Sequence, residues 1–369
     1  MGVALDVAYK FGAGRYIQEP NALDLAGGEI ARFGKRALIL GGPTAIRIVR
    51  ERLSRGLRKY GVQYEFSEYR GYTTYERARA YGNYCAEKGF SVVVGVGGGR
   101  IMDLAKAAAH CAGLPVVNIP TQAGTCAAYT PMSVMYTPEG GALGTAEGNF
   151  YHSTEVAAVI VDENIMVYQP PRYAASGVLD AMAKFIEVQN GRPQMDFDQL
   201  NIGLYTAYHL AKYTYEILDR TCLKVFDDIE HHRLTKEVHD FLFINFAVTG
   251  IISGISKALG QAALAHDMYY AVRLMFTRES QGYLHGEIVG AALALQLWYN
   301  RTPEKISGFR TFMKQMGMPL TLASLGIPET EENLERIFEY LKGTLSVDPT
   351  PDNLKRLREG ILQLCEASM

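Results

Sequence analysis

Apolar and polar positions divide this chain into two stretches with different rhythms. Up to about residue 162, short apolar runs alternate with segments of helical spacing. The runs are Ala37–Leu40, Val62–Tyr69, Ser91–Val96, Pro115–Pro120, Met132–Tyr136 and Ala157–Val161. The helical segments are Ala45–Tyr60, Tyr75–Lys88 and Ile101–Cys111, the last with Asp103 in its first turn. Continuous apolar runs this short predict strands buried on both faces, and their alternation with helices predicts a parallel sheet of βα units. Such sheets gather ligands at the carboxyl ends of their strands. Residues 137–155 are polar and glycine-rich, which predicts a hairpin or mobile loop.

After Asp162 the strand pattern stops. Pro170-Pro171 suits a helix start, and apolar spacing then predicts helices at about 171–189, 198–219, 234–258, 260–276, 285–300, 303–316, 329–343 and 353–367. The expected organisation is an α/β Rossmann-like domain over 1–162 and an all-helical domain over 163–369, with a cleft between them.

The stretch from Val92 to Tyr136 carries the first candidate chemistry. A buried strand leads into Gly97, Gly98 and Gly99, and a helix follows at once. Strand, glycine turn and helix N-terminus together make an anion site, because free N–H groups and the helix dipole face the turn. The same pattern also occurs as a tight βα turn in doubly wound sheets of any function.

Composition narrows the class. The chain has 369 residues, 48% of them hydrophobic and 21% charged, and a net charge of −2. That balance offers nothing to nucleic acid or an acidic membrane surface. Five cysteines without a C-x-x-C predict a reduced, cytoplasmic setting and no cysteine-rich metal site. The N-terminus shows no basic-then-apolar signal, and Asp6 breaks the myristoylation pattern begun by Met1-Gly2. No apolar run is expected to reach the roughly 20 residues of a membrane span.

GVGGGRIMDLAKAAA followed by PTQAGTCAAYTPMSVMYT resembles the cofactor signature of glycerol dehydrogenases, in the iron-containing alcohol dehydrogenase superfamily. Their pattern, GGG-x-x-x-D-x-x-K and then P-T-x-A-x-T, falls here on Gly97–Gly99, Asp103, Lys106 and Pro120–Thr125. The resemblance implies the dehydroquinate synthase-like architecture, a nicotinamide cofactor (NADP or NAD), a homo-oligomer and a small-molecule substrate. It implies that Gly97, Gly98 and Gly99 seat the pyrophosphate, with Asp103, Thr121, Gly124, Thr130, Met132 and Tyr136 also on the cofactor. It further implies one divalent metal, held by Asp180 in G-x-x-D, by His266 in an A-A-H stretch matched here by Ala265-His266, and by His285 in H-G-E. Spacing alone would not assemble these three, which are separated by 86 and 19 residues. His209, His231, His232 and His239 read as packed or surface residues, and His110 and His152 have no assigned place.

The chain departs from the family pattern at several positions. Iron-type members carry a further His four residues after the Asp, where this chain has Lys184, so three ligands favour zinc. Cys126 replaces the Asp that contacts the polyol in glycerol dehydrogenases, and the following run is similar to the hydroxycarboxylate branch, which reduces 2-oxo acids. Gly41 stands where relatives place an Asp against the adenosine ribose, which admits NADP(H). Tyr269 replaces a second His near the metal; with Cys126 it is assigned to the substrate side. A metal-dependent oxidoreductase for a 2-oxo or 2-hydroxy acid is therefore expected. A polyol dehydrogenase is the nearest alternative. A related lyase, glycerol-1-phosphate dehydrogenase and a metal- and nucleotide-binding protein with little turnover are the others.

Overall fold

The computed structural model describes residues 9–144, 148–193, 195, 201–256 and 263–365. Eight strands precede the helical stretch. They are β1 (Tyr16–Glu19), β2 (Arg36–Gly41), β3 (Gln63–Glu68), β4 (Val92–Gly97), β5 (Val116–Pro120), β6 (Met132–Ser133), β7 (Phe150–Tyr151) and β8 (Ala158–Asp162). Six form one parallel sheet in the order β1-β8-β5-β4-β2-β3, as the buried apolar runs predict. β6 and β7 form a separate antiparallel pair. The strand expected over Met132–Tyr136 is shorter than its run; Tyr136 makes only an isolated bridge to Ala142.

Alternate residues of the strands feed two cores. Ala37, Ile39, Val94 and Ile119 pack under helices α1 (Ala26–Ala31) and α2 (Pro43–Lys59). Leu38, Leu40, Val93 and Val161 face the other side, towards α3 (Tyr75–Lys88) and α4 (Gly99–Ala112). That second core runs on without interruption into the helices after Asp162, so both stretches of the chain share it. Helix α4 starts two residues before its expected bound, and Asp103 consequently lies beyond its first turn.

A short α5 (Glu163–Met166) leads into α6 (Pro171–Val188), α7 (Ile202–Glu230) and α8 (Lys236–Phe243). A π-helical turn, Ile244–Val248, joins α8 to α9 (Thr249–Ile255). Then come α10 (Leu264–Met275), α11 (Thr277–Ser280), α12 (His285–Tyr299), α13 (Ile306–Gln315), α14 (Glu331–Lys342) and α15 (Pro351–Leu362). The expected starts of the helices at 198 and 260 lie outside the described residues. Contrary to the expectation from apolar runs, Lys236–Ile255 is long and apolar enough to cross a membrane, with a mean hydropathy of 1.5. It is a core helix here, 78% buried in the protein.

One buried ion pair ties α4 to the loop that follows β5. Lys106 Nζ lies 2.9 Å from Asp103 Oδ1, donates to the Thr130 carbonyl at 2.9 Å and also donates to the Met132 carbonyl. Asp103 Oδ2 accepts from the Val134 N–H. Burial raises the Asp103 pKa, and Lys106 opposes that rise. Removing one partner of a buried pair leaves the other charge uncompensated, at a cost of about 3–5 kcal/mol. Lys106→Met is therefore expected to lower unfolding stability by about that much in urea titrations followed by Trp298 fluorescence. A loss below about 1 kcal/mol would show the pair to be dispensable.

Candidate active site

Helix α6 carries a stripe of charge through an apolar interior. Asp180, Lys184 and Glu187 follow at i, i+4 and i+7, and all three are buried. That spacing places them on one helix face. Helix α10 brings His266 to Asp180, and α12 brings His285 at its first position.

The glycines of the two motifs are contact points. A Cβ on Gly286 would lie 1.9 Å from the Ser176 carbonyl oxygen, so α12 meets α6 where no side chain intervenes. The Gly286 N–H donates to Ser176 Oγ at 3.0 Å. A Cβ on Gly177 would lie equally close, 1.9 Å, to the Ala123 carbonyl oxygen in the loop after β5. Glu287 fixes the start of α12: it accepts from the Leu284 N–H at 2.7 Å and pairs with Arg172 at 2.6 Å.

The three converging atoms form a nearly equilateral triangle. Asp180 Oδ1 is 3.3 Å from His266 Nε2 and 3.4 Å from His285 Nε2, and the two nitrogens are 3.4 Å apart. A tetrahedral ion with bonds of about 2.0–2.1 Å has ligand–ligand edges of about 3.3–3.4 Å. The triangle therefore fits one face of such an ion. Asp180 Oδ1 is also a buried atom with no aligned hydrogen bond, a costly state that a cation relieves. Among the described residues the other cluster of potential ligands, Asp227, Glu230 and His231, is exposed.

Glu187 stands behind the triangle. Its Oε2 faces His266 Nδ1 at 2.5 Å, and its Oε1 accepts from the N–H groups of Ala263 and His266, each at 2.8 Å. In the neutral ring with its proton on Nδ1 towards Glu187, the Nε2 lone pair faces the cluster, as metal-binding imidazoles require. Burial opposes a charge on His266, but the Glu187 carboxylate outweighs it and raises the His266 pKa, so a metal competes with a proton at Nε2. Burial lowers the His285 pKa, which keeps that ring neutral. Burial opposes the charge on Asp180, yet the Lys184 ammonium and both imidazoles outweigh it and hold the carboxyl well below its ordinary range.

The glycine turn opens into the same cleft, a space of about 350 Å³. Gly97 takes φ +148°, Gly98 caps α4, and the N-terminus of α4 at Gly99 reaches the cleft. Gly124, Thr130, Met132 and Tyr136 line it, together with Asp180, His266 and His285. Gly97, Gly98 and Thr121 stand behind the wall, where Thr121 N–H donates to the Gly97 carbonyl at 3.0 Å. Asp103 lines the cleft, but its carboxylate is engaged by Lys106 and Val134. Cys126 is buried at the cleft beside Asp180, and burial pushes its thiol up to about 12. Tyr269 shares a 2.7 Å hydrogen bond with Tyr136, and its ring centroid lies 4.2 Å from that of His285.

Two contributors escape a motif reading. Glu187 was signalled only by the charge stripe on α6. Asn245, on the π turn, donates to the Ala123 carbonyl at 3.2 Å and so holds the loop that Gly177 touches.

A sequence profile described as iron-containing alcohol dehydrogenase matches residues 13–163. The chain is 28% identical to a glycerol dehydrogenase of Thermotoga maritima over 88% of its own length and 87% of that protein's. It is likewise 28% identical to hydroxycarboxylate dehydrogenase A of Escherichia coli, over 72% and 73%. A structure described as a probable glycerol dehydrogenase from Sinorhizobium meliloti superposes with a TM-score of 0.81 at 26% identity, covering 97% of this chain and 98% of that one.

The chain thus resembles iron-containing alcohol dehydrogenases over residues 13–163 and glycerol dehydrogenases over nearly its whole length. The profile match ends near β8, so the triangle of Asp180, His266 and His285 stands on geometry rather than on that match. If Glu187 sets His266, Glu187→Gln should weaken zinc binding by about 10–100-fold in chelator competition. Unchanged affinity would make Glu187 a packing residue.

Proposed function

We propose that this chain is an NAD(P)-linked oxidoreductase acting on CH–OH groups, with a divalent metal on Asp180, His266 and His285. The observation that carries the reading is the shared cleft: the anion-binding start of α4 and the triangle face the same space. Once bound, the nicotinamide would supply or accept hydride and the metal would polarise the substrate oxygen. The chain's own residues do the rest. The α4 N-terminus orients the cofactor and Glu187 aims His266. Three protein ligands without a fourth imidazole support zinc. Five cysteines with no C-x-x-C among them support a reducing, cytoplasmic setting.

The substrate we infer is a small 2-oxo acid. Cys126 is protonated and uncharged at neutral pH, so the wall beside Asp180 adds no second negative charge. A carboxylate there would repel an anionic substrate by roughly 4 kcal/mol at 4 Å, even at an effective dielectric of about 20. Glycerol oxidation is the second reading, favoured by the similarity to the T. maritima protein. Steady-state assays across 2-oxo acids, aldehydes and polyols separate the two. Cys126→Asp is expected to cut kcat/KM for 2-oxo acids by about tenfold or more while sparing neutral substrates. Wild type turning over glycerol faster than every 2-oxo acid would overturn this assignment.

Use of NADP(H) is the companion proposal, and the geometry moves its test. A Cβ on Gly41 would lie 2.7 Å from Ile46 Cγ1 and 2.9 Å from the Val96 carbonyl oxygen, whereas at Gly42 it meets open space. Gly42, the N-cap of α2, is thus the position able to carry a ribose-binding carboxylate. Thr44 and Arg47 are exposed on the first turns of that helix, and Glu68 on the neighbouring strand is 3.6 Å from Arg50. Gly42→Asp should lower kcat/KM with NADPH relative to NADH by about tenfold or more. A parent enzyme that strongly prefers NADH would refute the proposal.

A further inference from the structure

Lys184 has a neighbourhood that the ordinary roles of a buried lysine do not explain. Its side chain is 5% exposed, and its ammonium has reached the metal triangle rather than solvent. Nζ lies 3.1 Å from His266 Nε2 and 3.5 Å from Asp180 Oδ1. These are two of the three atoms that a metal would take. Lys106 makes the contrast: its ammonium is met by a carboxylate and two backbone carbonyls, none of them part of the triangle.

The Nε2 lone pair of His266 can serve one partner at a time. With the Nδ1 proton held towards Glu187, it accepts either an N–H of the lysine or a metal ion. We infer that Lys184 is an internal counter-cation that occupies the cluster in the metal-free protein, and that a metal enters only by displacing it. The inference rests on the metal reading of Asp180, His266 and His285.

Lysine suits this task. Its flexible four-carbon stem lets the head withdraw, and its place at i+4 from Asp180 returns it when the ion leaves. The metal-free cluster then does not leave two buried carboxylates, Asp180 and Glu187 on opposite sides of the His266 ring, without a cation. The consequence is a metal affinity set below what the three ligands alone would give.

The test uses the full-length protein, stripped of metal, and zinc titrated against a chromophoric chelator. Lys184→Met, which keeps the stem and removes the charge, is expected to bind zinc at least tenfold more tightly than wild type. Its metal-free form should melt at a lower temperature, and zinc should raise that temperature by more than in wild type. Lys184→Gln gives the same reading if the Met variant does not fold. Equal or weaker zinc binding in the variants, with wild type binding normally, overturns the role of Lys184 and leaves the metal reading intact. Zinc bound by neither protein, or binding that survives Asp180→Asn, overturns both.

Discussion

The approach of α12 to α6 is the contact on which the candidate site depends. It is made backbone to backbone, at Gly286 against the Ser176 carbonyl, and a single methyl group there would force the helices apart. His285 is the residue immediately before that contact, so its reach to Asp180 is set by the spacing of two helices rather than by a rotamer. The same device recurs on the other side of α6, where Gly177 meets the loop after β5. Helix α6 is thus clamped between the loop that borders the glycine turn and the helix that supplies the last ligand. The two ends of the cleft are held in one frame because each contact with α6 falls at a glycine, Gly177 of α6 itself on one side and Gly286 of α12 on the other.

That frame carries charge in a place where charge is expensive. Asp103, Lys106, Asp180, Lys184 and Glu187 are all buried. Burial penalises each, and the structure answers by local pairing within a helix turn: Asp103 with Lys106, and Asp180 with Lys184. The first pair is closed by backbone carbonyls and acts as a strut between α4 and the loop after β5. The second is left open towards two imidazoles. Identical chemistry at nearly the same spacing gives a fixed brace in one case and an exchangeable site in the other. What differs is whether the remaining acceptors are committed elsewhere.

How far the sequence revealed this follows the physics of each part. The central strands were legible because strands buried on both faces are continuous apolar runs; β1 was missed because it is short, at the sheet edge and only partly buried. Helix α3 matches its expected span at both ends, where Thr74 accepts the Arg77 N–H and Gly89 takes the left-handed conformation. The site was less legible. No periodicity links residues 86 and 19 positions apart, so resemblance proposed Asp180, His266 and His285 and geometry brought them together. Glu187 could have been found from the i, i+4, i+7 charge stripe, since three ionisable groups on one face of an apolar helix require partners. The π turn at Ile244–Val248 had no signal in the pattern, because the helix around it is buried on nearly all sides and has no apolar stripe whose phase could shift. Gly41 and Gly42 look alike in the sequence, and only the space around each tells them apart: a Cβ is crowded at Gly41 and free at Gly42.

Tyr269 shows how a departure at one position reorganises its neighbours. A histidine there would offer a second ring able to titrate near neutral pH. The tyrosine instead spends its hydroxyl on Tyr136, a residue of the hairpin region, and lays its ring against His285. Burial raises the Tyr136 pKa well above its ordinary value, so this hydroxyl stays protonated across the physiological range. Tyr136 therefore cannot relay protons by ionising at neutral pH; its hydrogen bond to Tyr269 acts as a polar bridge from the α/β stretch to α10. The ring also covers one side of His285, which restricts that imidazole to the orientation facing Asp180. The cost falls on proton traffic and the gain on rigidity, since the last ligand of the triangle is now held from behind by packing and from the front by the charge it serves.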